Sequence, residues 1–127
     1  MSEPVILVAE DDGDIRDLIV FTLQMHGFKV LHVSNGADAV KKATAEQPDL
    51  ILMDVRMPKM TGYEACEVLK EQENTRDIPI VFLSAKGQEA EITTGLDLGA
   101  EDYLLKPFDP DVLIAQVNKI LTKHNKV

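Results

Sequence analysis

Val5-Ile6-Leu7-Val8-Ala9 is an unbroken apolar run that stops on Glu10-Asp11-Asp12. A strand with one wet face alternates apolar and polar residues, whereas a short run with no polar member is buried on both faces. The same pattern recurs downstream. Leu50-Ile51-Leu52-Met53 ends on Asp54, Ile80-Val81-Phe82-Leu83 ends on Ser84, and the shorter Tyr103-Leu104-Leu105 ends on Lys106. A weaker strand covers Lys29 to Val33.

Helical patterns fill the gaps. Ile15, Leu18, Ile19 and Thr22 fall at helical spacing, with Gly27 as the stop. Asp12 or Asp14 supplies the cap of that helix. Asn35-Gly36 is a turn signal before an alanine-rich helix from Ala37 to Ala45. After Pro48 and the third strand, residues 55–61 form a loop containing Pro58. Gly62 to Glu71 is a helix with Ala65, Val68 and Leu69 on one side, and Glu89 to Leu98 is another, closed by Gly99. Asp109-Pro110 starts the last helix with a capping carboxylate and proline at its first position. Val112, Ile114 or Ala115, Val117, Ile120 and Leu121 line it.

Five buried strands alternating with five helices predict an α/β fold: one doubly wound parallel sheet with right-handed crossovers. No linker, repeat or low-complexity segment interrupts residues 1–127, so a single domain is expected.

Four strands run into a polar residue at their carboxyl ends: Glu10 and Asp11, then Asp54, Ser84 and Lys106. In open α/β sheets the ligand crevice lies at those ends, near the point where strand order reverses. If the order is 2-1-3-4-5, the first and third strands are neighbours, and Glu10, Asp11 and Asp54 would converge. Two like charges about 4 Å apart repel by about 4 kcal/mol at an effective dielectric near 20. Either protons or a cation must relieve the cluster. Carboxylates without thiol or imidazole suit a hard divalent ion, Mg²⁺ first among them, and Mg²⁺ commonly bridges carboxylates to phosphate. In phosphoryl chemistry an aspartate can be the nucleophile. The transferring group then needs a metal, a lysine and hydrogen-bond donors, which Lys106 and Ser84 supply. Taken singly, each residue reads more simply as a turn former, a cap or a surface charge; their shared position at strand ends carries the inference.

Composition sets the outer limits. Lys plus Arg number 13 and Asp plus Glu 22, a net charge of −9, which argues against direct nucleic-acid binding or docking on an anionic membrane. No apolar run approaches the roughly 20 residues of a membrane span. Cys66 is the only cysteine, which suits a reducing interior, so a cytoplasmic location is expected. Cys66 itself, Met53, Met57 and Met60 read as packing residues, and His26, His32 and His124 are scattered.

Over nearly its whole length the chain resembles the receiver domains of two-component response regulators. Ile6-Leu7-Val8-Ala9-Glu10-Asp11-Asp12 carries the resemblance, together with Leu52-Met53-Asp54-Val55-Arg56-Met57-Pro58 and Gly62, Phe82-Leu83-Ser84-Ala85, and Gly99-Ala100-Glu101-Asp102-Tyr103-Leu104-Leu105-Lys106-Pro107-Phe108. The resemblance implies a flavodoxin-like fold and a phosphorylation switch. Asp54 would be the phosphoacceptor. Asp11 would bind Mg²⁺ directly and Glu10 mainly through water, with the Arg56 backbone carbonyl as a further ligand. Lys106 would contact acceptor and phosphoryl group, Ser84 would move to the phosphoryl oxygen, and Tyr103 would rotate inward behind it. The Lys106-Pro107 bond would be cis. A histidine kinase or histidine phosphotransfer protein would be the donor. The face built from the fourth helix, fifth strand and fifth helix would change shape for a downstream protein target. Such a domain is no enzyme beyond its own phosphorylation and hydrolysis.

Some positions depart from the commonest family pattern. Glu10 stands where many members have aspartate, and Ser84 where threonine is more frequent. Arg56 and Lys86, each two residues beyond a site residue, are placed to affect phosphoryl lifetime. Thr93, Thr94 and Gln116 occupy stretches where basic residues would support dimerisation, so a monomer stands beside a phosphorylation-dependent dimer. Two alternatives stay open: the receiver half of a larger regulator with a DNA-binding or enzymatic output, and a degenerate receiver that signals without phosphorylation. A flavin-binding protein of similar architecture would need a hydroxyl- and glycine-rich first loop, whereas Glu10-Asp11-Asp12 repels a phosphate.

Overall fold

The computed structural model describes residues 3–85 and 89–125; Lys86 lies outside the described residues. The strands are β1 (Val5–Ala9), β2 (Lys29–Val33), β3 (Leu50–Asp54), β4 (Ile80–Ala85) and β5 (Asp102–Lys106). They alternate with α1 (Gly13–Met25), α2 (Gly36–Glu46), α3 (Gly62–Glu71), α4 (Glu89–Asp97) and α5 (Pro110–Lys123). All pairings are parallel and the sheet order is β2-β1-β3-β4-β5, as expected from the sequence.

The apolar runs explain why the sheet is wrapped on both sides. Successive side chains of a strand point to opposite faces. Leu7, Ala9, Ile51, Met53, Ile80 and Phe82 therefore join a core with Ala39 and Ala43 of α2 and Ala65, Cys66 and Leu69 of α3. Ile6, Val8, Leu50, Leu52, Val81 and Leu83 join the opposite core with Ile19 and Leu23 of α1 and Leu113, Val117, Ile120 and Leu121 of α5.

Two helices turn differently from the pattern reading. On α1 the buried residues are Ile19, Thr22 and Leu23, while Leu18 is 48 % exposed. On α5 Leu113 is buried and Val112 is exposed. Both helices carry adjacent apolar residues at the point of doubt, and docking on the sheet chooses between them. Cys66 joins the buried face of α3 while Val68 stays half-buried.

The helix ends follow local chemistry. Asp12, Asn35, Thr61 and Asp109 are the N-caps of α1, α2, α3 and α5, and each accepts from backbone N–H groups of the first turn. Asn35-Gly36 is thus a cap and first helical residue, with the Asn35 side chain accepting from the Asp38 N–H at 2.8 Å. Thr61 and Glu64 complete a reciprocal capping box. Past the end of α1, Gly27 adopts φ +86° and the Phe28 N–H returns to the Leu23 carbonyl at 3.2 Å. That closure needs a residue at ease in left-handed backbone, hence glycine.

Candidate phosphoacceptor and metal site

Parallel pairing puts the carboxyl ends of all five strands on one edge of the sheet. β1 and β3 are adjacent, with Ala9 opposite Met53, so Glu10 and Asp54 emerge side by side. Within the described residues, Glu10, Asp11 and Asp54 each offer a carboxylate oxygen, and these oxygens lie within 4.8 Å of one another.

Lys106 closes the cluster from β5. Its Nζ donates to Glu10 Oε1 at 3.1 Å and to Asp54 Oδ1 at 3.2 Å. Lys106 pairs with Ala85 at the end of β4, and this register lets its side chain reach past β4 to β3. Ser84 is buried near the end of β4, in the strand between those that carry Asp54 and Lys106. The Lys106-Pro107 bond is cis.

Glu10 is held most completely. It has no exposed surface. Its N–H donates to the Val33 carbonyl at 3.2 Å, and its Oε2 accepts the Asp12 N–H at 3.2 Å. With Lys106 on Oε1, both carboxylate oxygens have protein donors. Asp11, by contrast, is exposed, and Asp54 is 7 % exposed at the mouth of the cluster.

Electrostatics show the cost of this arrangement. Burial, then the neighbouring Asp54 carboxylate, push Glu10 up to about 7, against the pull of the Asp12 N–H and Lys106. Burial pulls Lys106 down, but Asp54 and Glu10 together outweigh it and hold its ammonium above the usual value. Three carboxylates and one ammonium sum to two negative charges when all are ionised. The chemistry of the donor set therefore fits a hard divalent cation.

The raised Glu10 value has a consequence for the metal-free protein. A carboxyl group that holds its proton more tightly in the fold than in the unfolded chain stabilises below its ordinary range. That contribution disappears as pH rises through the folded value. In the presence of a chelator, the melting temperature should fall between pH 4.5 and about 7. Glu10→Gln should flatten the profile across that window. Superimposable parent and variant profiles would show that Glu10 is not the group responsible.

Arg56 sits in the loop after β3 with its side chain exposed. Tyr103, on the edge strand β5, is 37 % exposed and lines a shallow hollow with Asp102, Val112 and Gln116. Cys66 is buried, its Sγ donating to the Leu98 carbonyl at 3.7 Å, and burial pushes its thiol up to about 11. It is a packing residue, not a thiolate at neutral pH.

Two contributors escaped the sequence reading. The Asp12 backbone N–H holds Glu10 while its side chain caps α1. Arg16 reaches back from α1 to the Glu10 carbonyl oxygen at 2.8 Å. Arg16 did leave a signal: a cation near a helix N-terminus opposes the helix dipole, which invites the question of what it holds.

Comparison with known proteins agrees with this geometry. The family model for the response regulator receiver domain matches residues 6–118. The DNA-binding dual master transcriptional regulator RpaA of Synechocystis is 39% identical over 124 residues, covering 98% of this chain and 52% of that protein. The chain thus spans about half the length of such relatives. The chemotaxis response regulator CheY4 of Vibrio cholerae superposes with a TM-score of 0.89 at 31% identity, covering 94% of this chain and 100% of that one. The receiver domain of sensor histidine kinase PA1611 from Pseudomonas aeruginosa gives 0.89 at 33% identity, covering 95% and 99%. That structure has a magnesium ion coordinated in its active site cleft.

Proposed function

Because this chain belongs to the response regulator receiver domain family, we propose that Asp54 is its phosphoacceptor and that phosphorylation there is the signal it passes on. One observation carries the assignment: carboxylate oxygens of Glu10, Asp11 and Asp54 converge within 4.8 Å, with the Lys106 ammonium bridging Glu10 and Asp54.

The donor is a phosphorylated histidine of a kinase or phosphotransfer protein. A carboxylate oxygen of Asp54 attacks phosphorus. The bond from phosphorus to the imidazole nitrogen breaks, and that nitrogen keeps the electron pair. Negative charge spreads over the transferring oxygens, where Lys106 and the Ser84 hydroxyl donate to it. Asp11 and Asp54 would hold Mg²⁺ directly, the Arg56 carbonyl would be a further ligand, and Glu10, both of whose oxygens already have protein donors, would act through water. Bound there, Mg²⁺ would neutralise charge on the acceptor and the incoming phosphoryl oxygens.

Ser84 and Tyr103 form the switch. A dianionic group on Asp54 gives Ser84 a new acceptor, and the shift of Ser84 frees space for Tyr103. Tyr103, Leu105, Leu96 and Val112 are exposed large residues on the surface of α4, β5 and α5. This is the face whose shape changes for a downstream protein. The chain acts in the cytoplasm as a signalling protein, and its only catalysis is on its own phosphorylation state. Among the described residues no helix is long and apolar enough to cross a membrane.

Intact mass after incubation with Mg²⁺ and acetyl phosphate tests the reading. The expected result is a gain of one phosphoryl group that disappears when a chelator replaces Mg²⁺. Folded protein that gains nothing, from a donor competent on a known receiver, would leave a receiver that signals by binding alone.

A further inference from the structure

Arg16 is the fourth residue of α1, and its own N–H donates to the Asp12 carbonyl at 2.9 Å. Its side chain doubles back over the start of the helix, so that Nη1 donates to the Glu10 carbonyl oxygen at 2.8 Å. A Cβ added to Gly13 would lie 3.7 Å from Nη2, in ordinary contact, so the guanidinium runs close along the helix start. Glu10 is therefore pinned on both sides of its backbone: the N–H by the Val33 carbonyl and the C=O by Arg16. The peptide group that leads to Asp11 begins at that held carbonyl.

We propose that Arg16 is a positioning residue for metal binding: by fixing the Glu10–Asp11 peptide it aims the Asp11 carboxylate at Asp54. This rests on the reading of the acidic cluster as a divalent-cation site. Asp11 is exposed and Asp12 is committed to capping α1, so the direction of the intervening backbone decides where the Asp11 carboxylate points. Groups that orient a ligand without touching the metal typically change metal affinity about 10- to 100-fold when removed.

The sign of the effect separates positioning from mere charge. A guanidinium near the site repels a dication, so if Arg16 acted only as a charge, its removal would tighten binding. If it positions Asp11, removal weakens binding in spite of that. Reach also matters: Arg16 meets the Glu10 carbonyl through Nη1, and the ammonium of a lysine sits on a stem of different length and geometry.

The test is calorimetric titration of Mg²⁺ into the full chain, with melting curves in chelator alongside. Arg16→Ala and Arg16→Lys should both bind Mg²⁺ about 10- to 100-fold more weakly than the parent. Their metal-free melting temperatures should stay close to the parent's, since the bond lies on a partly exposed loop. If Arg16→Ala does not fold, Arg16→Lys, which keeps the charge and most of the stem, carries the comparison. Equal or tighter binding by the folded variant overturns the inference while leaving the metal site standing. A parent that binds no Mg²⁺ overturns the metal-site reading, and this inference with it.

Discussion

Asp54→Asn should take up no phosphoryl group under conditions that saturate the parent, and in chelator it should unfold at a higher temperature than the parent. The first effect is chemical: the amide that replaces the carboxylate is not a competent nucleophile toward phosphorus, and no other carboxylate takes its place. Asp11 is exposed at the rim, and Glu10 has both oxygens engaged by protein donors. The second effect is electrostatic. Asp54 is one of the groups holding Glu10 up near 7, so removing its charge lets Glu10 ionise with less opposition. An amide oxygen can still accept from Lys106. A metal-free gain of about 1 kcal/mol is the scale expected for relieving one such carboxylate pair. Added Mg²⁺ should then stabilise the variant much less than the parent. Intact mass reads the first effect and melting curves with and without Mg²⁺ read the second. Phosphoryl uptake by the variant would falsify the acceptor assignment, and a variant less stable in chelator would contradict the repulsion argument.

Gly62→Ala should be among the most damaging single substitutions outside the apolar core. Gly62 is the first residue of α3, and its N–H donates to the Val55 carbonyl at 2.8 Å. A Cβ there would lie 2.2 Å from the Asp54 carbonyl oxygen and 3.1 Å from Phe82 Cε1. The obstacle is the backbone of Asp54 itself, which cannot rotate away as a side-chain tip can. Overpacking typically costs about 1–3 kcal/mol, and a clash with fixed backbone belongs at the upper end, about 3 kcal/mol. For a domain of this size that lowers the melting temperature by roughly 10 °C. Because the clash bears on Asp54, the surviving folded fraction should also phosphorylate more slowly. Gly13→Ala is the internal control, since its Cβ would meet only Arg16 Nη2 at 3.7 Å. Equal stability of the two variants would show that α3 can shift to make room.

Gly62 illustrates how far the sequence can be read. It stands in a recognisable motif, but its purpose is a distance between α3 and the end of β3, which no one-dimensional pattern contains. The central strands were legible because runs such as Val5–Ala9 have no polar face to offer water, whereas β2, Lys29–Val33, gave a weaker signal and the strand order was a premise rather than a reading. Helix ends were legible at Asp109-Pro110 and Gly27 because capping is local chemistry. Burial on α1 and α5 was not. Leu18 and Leu23, or Val112 and Leu113, satisfy the same periodicity within a rotation that only packing on the sheet decides. In the site, the acidic residues and Lys106 could be placed at strand ends, and the order β2-β1-β3-β4-β5 then brings them together. The hold of Arg16 on the Glu10 carbonyl is a local contact across the start of α1, and a cation in the first turn hints that something is held there without saying which backbone oxygen it is.

The pair of Lys106 and Glu10 spans 96 positions of the chain. A nascent polypeptide carries Glu10 and Asp54 early, but the lysine that balances them arrives only with the final strand. Pairing between such distant segments forms late, after the loops between them have closed. Until β5 has docked, Glu10 and Asp54 stand side by side without their counter-charge, so the carboxylate cluster itself favours completion of the sheet.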